Sequence, residues 1–166
     1  MNFDNSHIRR KDRLLSFEQS IELLKTGEYG ILSLYDKKNE TPYGIPVNYV
    51  YDEKETIYFH GAMEGRKIEI MKESNKASFC VVGKTKVIPQ KLTTEYESII
   101  IEGEIIIELE KEEKQKGIEL FLNKYTPNDK EVSMKMAEKL FDQTLIYKLI
   151  NLKVSGKTKS MNPSHN

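Results

Sequence analysis

The chain has 166 residues, with 26 Lys plus Arg against 26 Asp plus Glu, a formal net charge of zero and a pI near 6.9. That balance excludes a whole-domain polyanion binder, which carries a pI above ~9 and a one-signed surface, and an apolar content of 38% excludes an acidic disordered chain. Residues 1–13, with Arg9, Arg10, Lys11 and Arg13 close together, are expected to form a flexible basic arm. Ser16 followed by Gln19 is a capping box, and Phe17, Ile21 and Leu24 then recur at helical spacing until Gly27. From Tyr29 the period changes to that of strands. Tyr29 to Tyr35 is a strand, 36–39 a turn, and 43–60 a hairpin in which Pro46 argues against a regular central strand. Gly65 opens a helix to Glu73, with Ile68 and Met71 on one face. Strands are expected over 77–82 and 98–109. In the second, Ile99-Ile100-Ile101 implies burial on both faces and Gly103 a bulge. Helices over 111–124 and 130–141 flank a break at 126–129. The later one carries Val132, Met136 and Leu140 at i, i+4 and i+8. A last strand covers 143–154, and 156–166 should fray.

No βαβα alternation is present, so the pattern points to one mainly β domain over 14–155, an antiparallel barrel or sandwich with peripheral helices. No apolar run nears the ~18 residues of a membrane span, and residues 1–13 hold no apolar stretch of a secretory leader. Cys80 is the only cysteine, so no disulfide forms within the chain. The expected location is a reducing cytoplasm, with neither nucleic acid nor membrane as a partner.

Most candidate chemistries fail on spacing. His7, His60 and His165 are far apart and no His or Cys pair has zinc spacing, so no metal is expected. Gly-Lys-Thr occurs at 83–85 and 156–158. A phosphate-binding P-loop needs glycine five positions earlier, where Ser78 and Asn151 stand. Cys80 lies in an apolar strand pattern and reads as an inert buried thiol. The informative stretch is Tyr58-Phe59-His60-Gly61-Ala62 followed by Gly65-Arg66-Lys67. Cations oppose the positive end of a helix dipole. Arg66 and Lys67 in a first turn therefore suggest a bound anion, for which phosphate is the best fit, with Gly61 and Ala62 allowing close backbone approach. The alternative is that both cations point into water.

Those pieces also carry a resemblance. Together with Arg9-Arg10-Lys11-Asp12-Arg13, Pro42 to Tyr51, Tyr96-Glu97-Ser98-Ile99-Ile100, Glu102-Gly103 and Gly156-Lys157, they span about residues 9–158. In that order they resemble the flavin-binding split-barrel superfamily of pyridoxamine 5′-phosphate oxidase, and within it the nitroimidazole-resistance (Nim) branch. The resemblance implies an antiparallel Greek-key split β-barrel. It further implies a homodimer that binds FMN, or less often FAD, at the interface. Arg66 and Lys67 match the family's phosphate-binding pair, and Val47, Asn48 and Tyr49 the strand along the flavin ring. Ser98 stands where the oxidase has a glutamine near the flavin phosphate, and its shorter side chain has fewer donors. His60 matches a histidine assigned to reduction, although a histidine at a strand end is equally at home as a structural residue. The oxidase's Arg-containing C-terminal segment is absent and the chain has no tryptophan, which argues against pyridoxamine phosphate as substrate.

Three readings follow: an FMN-dependent reductase of small nitroaromatic or similar acceptors, a flavin storage or sensing module without turnover, and an interaction protein with a vacant cofactor site.

Overall fold

The computed structural model describes residues 1–160. It contains seven strands, β1 (Asn2–Phe3), β2 (Tyr29–Asp36), β3 (Thr41–Tyr51), β4 (Ile57–Ala62), β5 (Lys76–Ile88), β6 (Thr93–Ile106) and β7 (Thr144–Lys159). Four helices accompany them, α1 (Phe17–Thr26), α2 (Arg66–Glu73), α3 (Lys111–Tyr125) and α4 (Lys130–Lys139). The strand order is β1-β7-β4-β3-β2-β5-β6, and β6 also pairs with β7, so six strands close on themselves. All pairings are antiparallel except β1 with β7. This is the expected mainly β architecture, a split barrel with peripheral helices.

Strand alternation builds the core. Every second residue of β2 is buried, and Leu32 meets Phe59, Phe79, Ile99, Ile101 and Tyr147 inside the barrel, all fully buried. Tyr49 and Phe79 meet edge to face at 4.9 Å, and Phe59 stacks on Tyr147 at 5.1 Å. α1 keeps the expected capping box, with Ser16 Oγ accepting from Gln19 N at 3.2 Å and Gln19 Oε1 from Ser16 N at 3.1 Å. α2 closes one end of the barrel with Ile68, Ile70 and Met71. Outside the barrel, α3 lays Ile118 and Phe121 over Val50, Tyr58 and Ile146, a second and smaller core.

Several expectations change. The expected strands over 77–82 and 98–109 extend through residues 83–97 as the continuation of β5 and β6, a long hairpin turning at Pro89–Lys91. Ile99-Ile100-Ile101 is not buried on both faces, because Ile100 points outward and is 48% exposed. Cys80 is likewise only partly buried, on the outer face between Ile31 and Ile100 in register; burial raises its thiol pKa. The bulge expected at Gly103 is present as a register shift between Glu102 and Glu104 against β7. Pro46 does sit in a strand. β3 pairs with β4 only through Tyr49–Tyr51, which leaves its earlier residues an edge where prolines are tolerated. Within the expected basic arm, β1 pairs with β7, and Asn5 donates to Leu15 O at 3.0 Å and accepts from Gly156 N at 2.9 Å. β7 runs to Lys159 instead of ending near 154. The rest of the expected frayed tail, 161–166, lies outside the described residues.

Candidate functional site

The two cations that open α2 have different surroundings. Gly65 precedes them at φ 120°, a conformation open to glycine, and turns the chain from β4 into the helix. Arg66 donates from Nε and Nη2 to Asp36 Oδ2 at 3.0 and 2.9 Å, and its guanidinium lies 4.4 Å from the centre of the Tyr43 ring. Asp36 is 3% exposed and also accepts from Asn39 N and Nδ2 at 3.0 and 2.9 Å. The hydrogen bonds from Asn39, then those from Arg66, hold its carboxyl below the ordinary value. The chain therefore supplies one anion for the first turn by itself.

Lys67 has no such partner. Its Nζ fills the volume a side chain at Gly61 would need, 2.5 Å from where a Cβ would stand, and lies 5.6 Å from the centre of the Tyr147 ring. Among the described residues it has no carboxylate or hydrogen-bond acceptor. Burial lowers its pKa from the ordinary lysine value. The buried Tyr147 hydroxyl also lacks a hydrogen-bond partner among the described residues.

His60 projects from the other face of β4. Phe59 points into the barrel, so its neighbour points out, to the mouth of a cavity of about 490 Å³ between the sheet and the α3–α4 pair. The imidazole meets the Phe121 ring edge to face at 4.8 Å. Partial burial, and then the charge of Lys67, lower its pKa below the ordinary histidine value, which favours the neutral imidazole. Asn48 lines the same cavity and donates from Nδ2 to Glu28 O at 3.0 Å. A larger cleft of about 570 Å³ lies beside Ser33, Ser78 and Glu102 and holds none of the expected site residues.

Of the expected ring strand, only Asn48 faces outward. Val47 and Tyr49 are buried in the barrel core. The main chain of Tyr49 is occupied as well. β2 begins at Tyr29, paired with Asn48, so Tyr49 extends past its partner strand. The Tyr125 hydroxyl takes the missing place. It accepts from Tyr49 N at 3.2 Å and shares its proton between the carbonyls of Glu28 and Tyr49 at 2.5 and 2.8 Å. Lys124 adds Nζ bonds to Gly27 O at 2.6 Å and Tyr49 O at 3.1 Å, and burial brings its pKa down to about 8.

Thus His60, Gly61 and Lys67 come together, Ala62 is exposed beside them, and Arg66 is adjacent but engaged. Ser98 does not join them. It stands on β6, four strands from β4 by way of β3, β2 and β5, roughly 19 Å around the barrel at ~4.8 Å per strand. The sequence reading missed Asp36, seen only as turn chemistry, and Tyr125, which falls between the expected 111–124 helix and the 126–129 break. The Asp36–Asn39 spacing was the available signal for the first. Among the described residues no cluster of three or more His, Cys, Asp or Glu could hold a metal ion, and no helix is long and apolar enough to cross a membrane.

A barrel of this topology with a cation-bearing helix at its end defines a class, the split-barrel proteins related to pyridoxamine 5′-phosphate oxidase. The family model described as Pyridoxamine 5′-phosphate oxidase matches residues 16–158, and the chain belongs to that family. Among solved structures, it is similar to a candidate 5-nitroimidazole antibiotic resistance protein from Bacteroides thetaiotaomicron, with 18% identity, 88% of this chain and 86% of that one covered, and a TM-score of 0.69. It is also similar to a flavocytochrome from Azotobacter vinelandii (16% identity, 98% and 77% covered, TM-score 0.77). A third is an FAD-binding protein from Mesorhizobium loti (19% identity, 89% and 98% covered, TM-score 0.64). No curated protein sequence matches the chain.

Proposed function

We propose that this protein is a flavin-dependent oxidoreductase that holds FMN between two copies of the chain and serves a small nitroaromatic or similar electron acceptor. The observation that carries the reading is Lys67, a partly buried ammonium in the first turn of α2 without an acceptor among the described residues. A phosphate there would meet both the cation and the free N–H groups of the helix start. Arg66, fixed by Asp36 and Tyr43, would offer its remaining N–H groups from a rigid position. The ring would lie on the outer face of β3, where Gly44, Pro46 and Asn48 leave a low surface leading to His60. FAD carries the same phosphate next to its ring and would engage the same cation. The flavin homologues named above support the flavin, and the Bacteroides protein supports the acceptor class.

Bound flavin would supply the electrons; the chain binds it, orients it and handles protons. His60, with its neutral form favoured, offers one N–H and one acceptor nitrogen at the cavity mouth, so it can pass a proton without leaving a fixed charge there. A second copy would need an apolar outer face to pack on. The outer face of β2, β5 and β6 suits that contact, with Ile31, Val82 and Ile100 exposed around Cys80.

Purified protein should be yellow and release FMN on denaturation. Lys67→Met should weaken FMN roughly ten- to a hundredfold, since a charge-assisted hydrogen bond is worth ~1.5–3 kcal/mol, and leave riboflavin, which lacks the phosphate, unchanged. Protein that stays colourless after FMN or FAD is added overturns the reading. A flavin carrier without turnover is the second reading, favoured by a cavity whose lining holds no Asp, Glu, Lys or Arg. An anaerobic assay with NAD(P)H and 2-methyl-5-nitroimidazole separates the two.

A further inference from the structure

The cavity under α4 is larger and less polar than a one-ring nitroaromatic requires. Its walls are Phe121, Leu122 and Tyr125 from α3, Met136 from α4 and Leu140 just after it, and Ile146 from β7. No Asp, Glu, Lys or Arg lines it; the polar groups are His60, Asn48 and Thr144 on the sheet side and Thr126, Ser133 and the already engaged Tyr125 hydroxyl on the helical side. A charged ligand would lose its water there with no charged side chain in the lining to meet it, which costs several kcal/mol. The walls suit flat rings. Phe121 stacks on Tyr125 at 5.8 Å and 17° and turns its edge relation to His60 at 81°, so both faces and edges of aromatic groups border the space. A volume of about 490 Å³ falls in the ~300–1,000 Å³ range of pockets that enclose drug-sized molecules. A single imidazole would leave most of it empty.

The roof points the same way. α4 has no buried residue, and the apolar stripe of Val132, Met136 and, just after the helix, Leu140 is 71, 55 and 41% exposed. Two of those three side chains, Met136 and Leu140, border the cavity. A helix held by so few buried contacts opens at low cost, and an apolar ligand beneath it would give the stripe a partner.

We propose that this cavity binds an uncharged, lipophilic molecule of two or three aromatic rings, with its polar atoms at His60 and Asn48. The inference rests on the flavoprotein reading only in making that molecule the electron acceptor.

The test uses a matched pair of probes on the full chain, as purified and after release of any flavin. N-phenyl-1-naphthylamine is neutral and brightens in apolar sites; 8-anilinonaphthalene-1-sulfonate keeps the ring system and adds a sulfonate. The neutral probe should saturate at one per chain and bind at least about tenfold more tightly than the sulfonate, a difference of ~1.4 kcal/mol. Ala137→Trp, which fills the cavity from α4, should abolish that binding, and Ala137→Leu should weaken it with the melting temperature unchanged, which keeps the result readable if the larger variant does not fold. Equal affinity for the sulfonate, or unchanged binding in both variants, overturns the proposal. Displacement of the neutral probe by FMN also overturns it, because the cavity would then be the flavin's own. So does an absence of binding combined with a changed light-scattering mass in Ala137→Trp, which would assign the cavity to a second copy. Protein that holds no flavin but shows the expected probe pattern refutes the flavoprotein reading and upholds the site.

Discussion

The outer surface of this barrel is finished in two ways. Over β4 and β7, α3 covers the sheet, and Ile118 and Phe121 bury Tyr58 and Ile146. Over β2, β5 and β6, among the described residues, no element covers the row Ile31, Cys80 and Ile100, although its residue types are just as apolar. The same alternation of side chains produced both faces. What differs is whether the chain spent a helix on them, and an uncovered apolar sheet face is what a second copy would cover.

Substitutions on the two walls should break this comparison in opposite ways. Phe121→Ala removes a ring that is 9% exposed and central to the covered wall, so it should cost about 3–5 kcal/mol of folding stability, read by denaturant titration. On the bare wall, Ile100→Asp should change the stability of the isolated chain by no more than ~0.5 kcal/mol. It should instead lower the light-scattering mass from twice 19.3 kDa to 19.3 kDa. A wild-type mass of 19.3 kDa would show that the bare wall has no second copy on it. A pH dependence is expected at Lys124, which ties the covered wall to β3. Its pKa is about 8 in the folded chain against 10.5 for an ordinary lysine. Between those values the unfolded chain binds more protons, so this residue adds stability as pH rises from 8 to 10.5. The difference in melting temperature between wild type and Lys124→Met should shift in favour of wild type over that window; a constant difference would show that the amine does not titrate there.

Much of the fold was legible because it is local. The Ser16–Gln19 box, the 43–60 hairpin and the helix after Gly65 each rest on contacts a few residues apart. The arm formed by residues 83–97 was not legible, since Lys84, Thr85, Lys86 and Glu95 carry no apolar alternation and their pairing depends on a partner strand across a turn. Pairing at the chain ends, β1 with β7 and Asn5 with Gly156, joins residues about 150 positions apart and leaves no local trace. Ile100 misled for a related reason: three isoleucines in a row fit a doubly buried strand, and only the sheet's position decides which face is covered.

The candidate site divides along the same line. Gly65-Arg66-Lys67 at a helix start was visible in the sequence, because a glycine turn and two cations in a first turn are adjacent residues with a known dipole beside them. That the two cations differ was not visible. Asp36, thirty positions earlier, neutralises Arg66, while the missing side chain of Gly61 makes room for Lys67 without offering it a partner. The zero net charge has the same limit, since a sum over the chain cannot report which charges meet. Residue types and their local spacing set the elements and nominated the pair. Only the closing of the barrel, which brings the end of β2 against the start of α2, decided which of the two cations remains available to an anion.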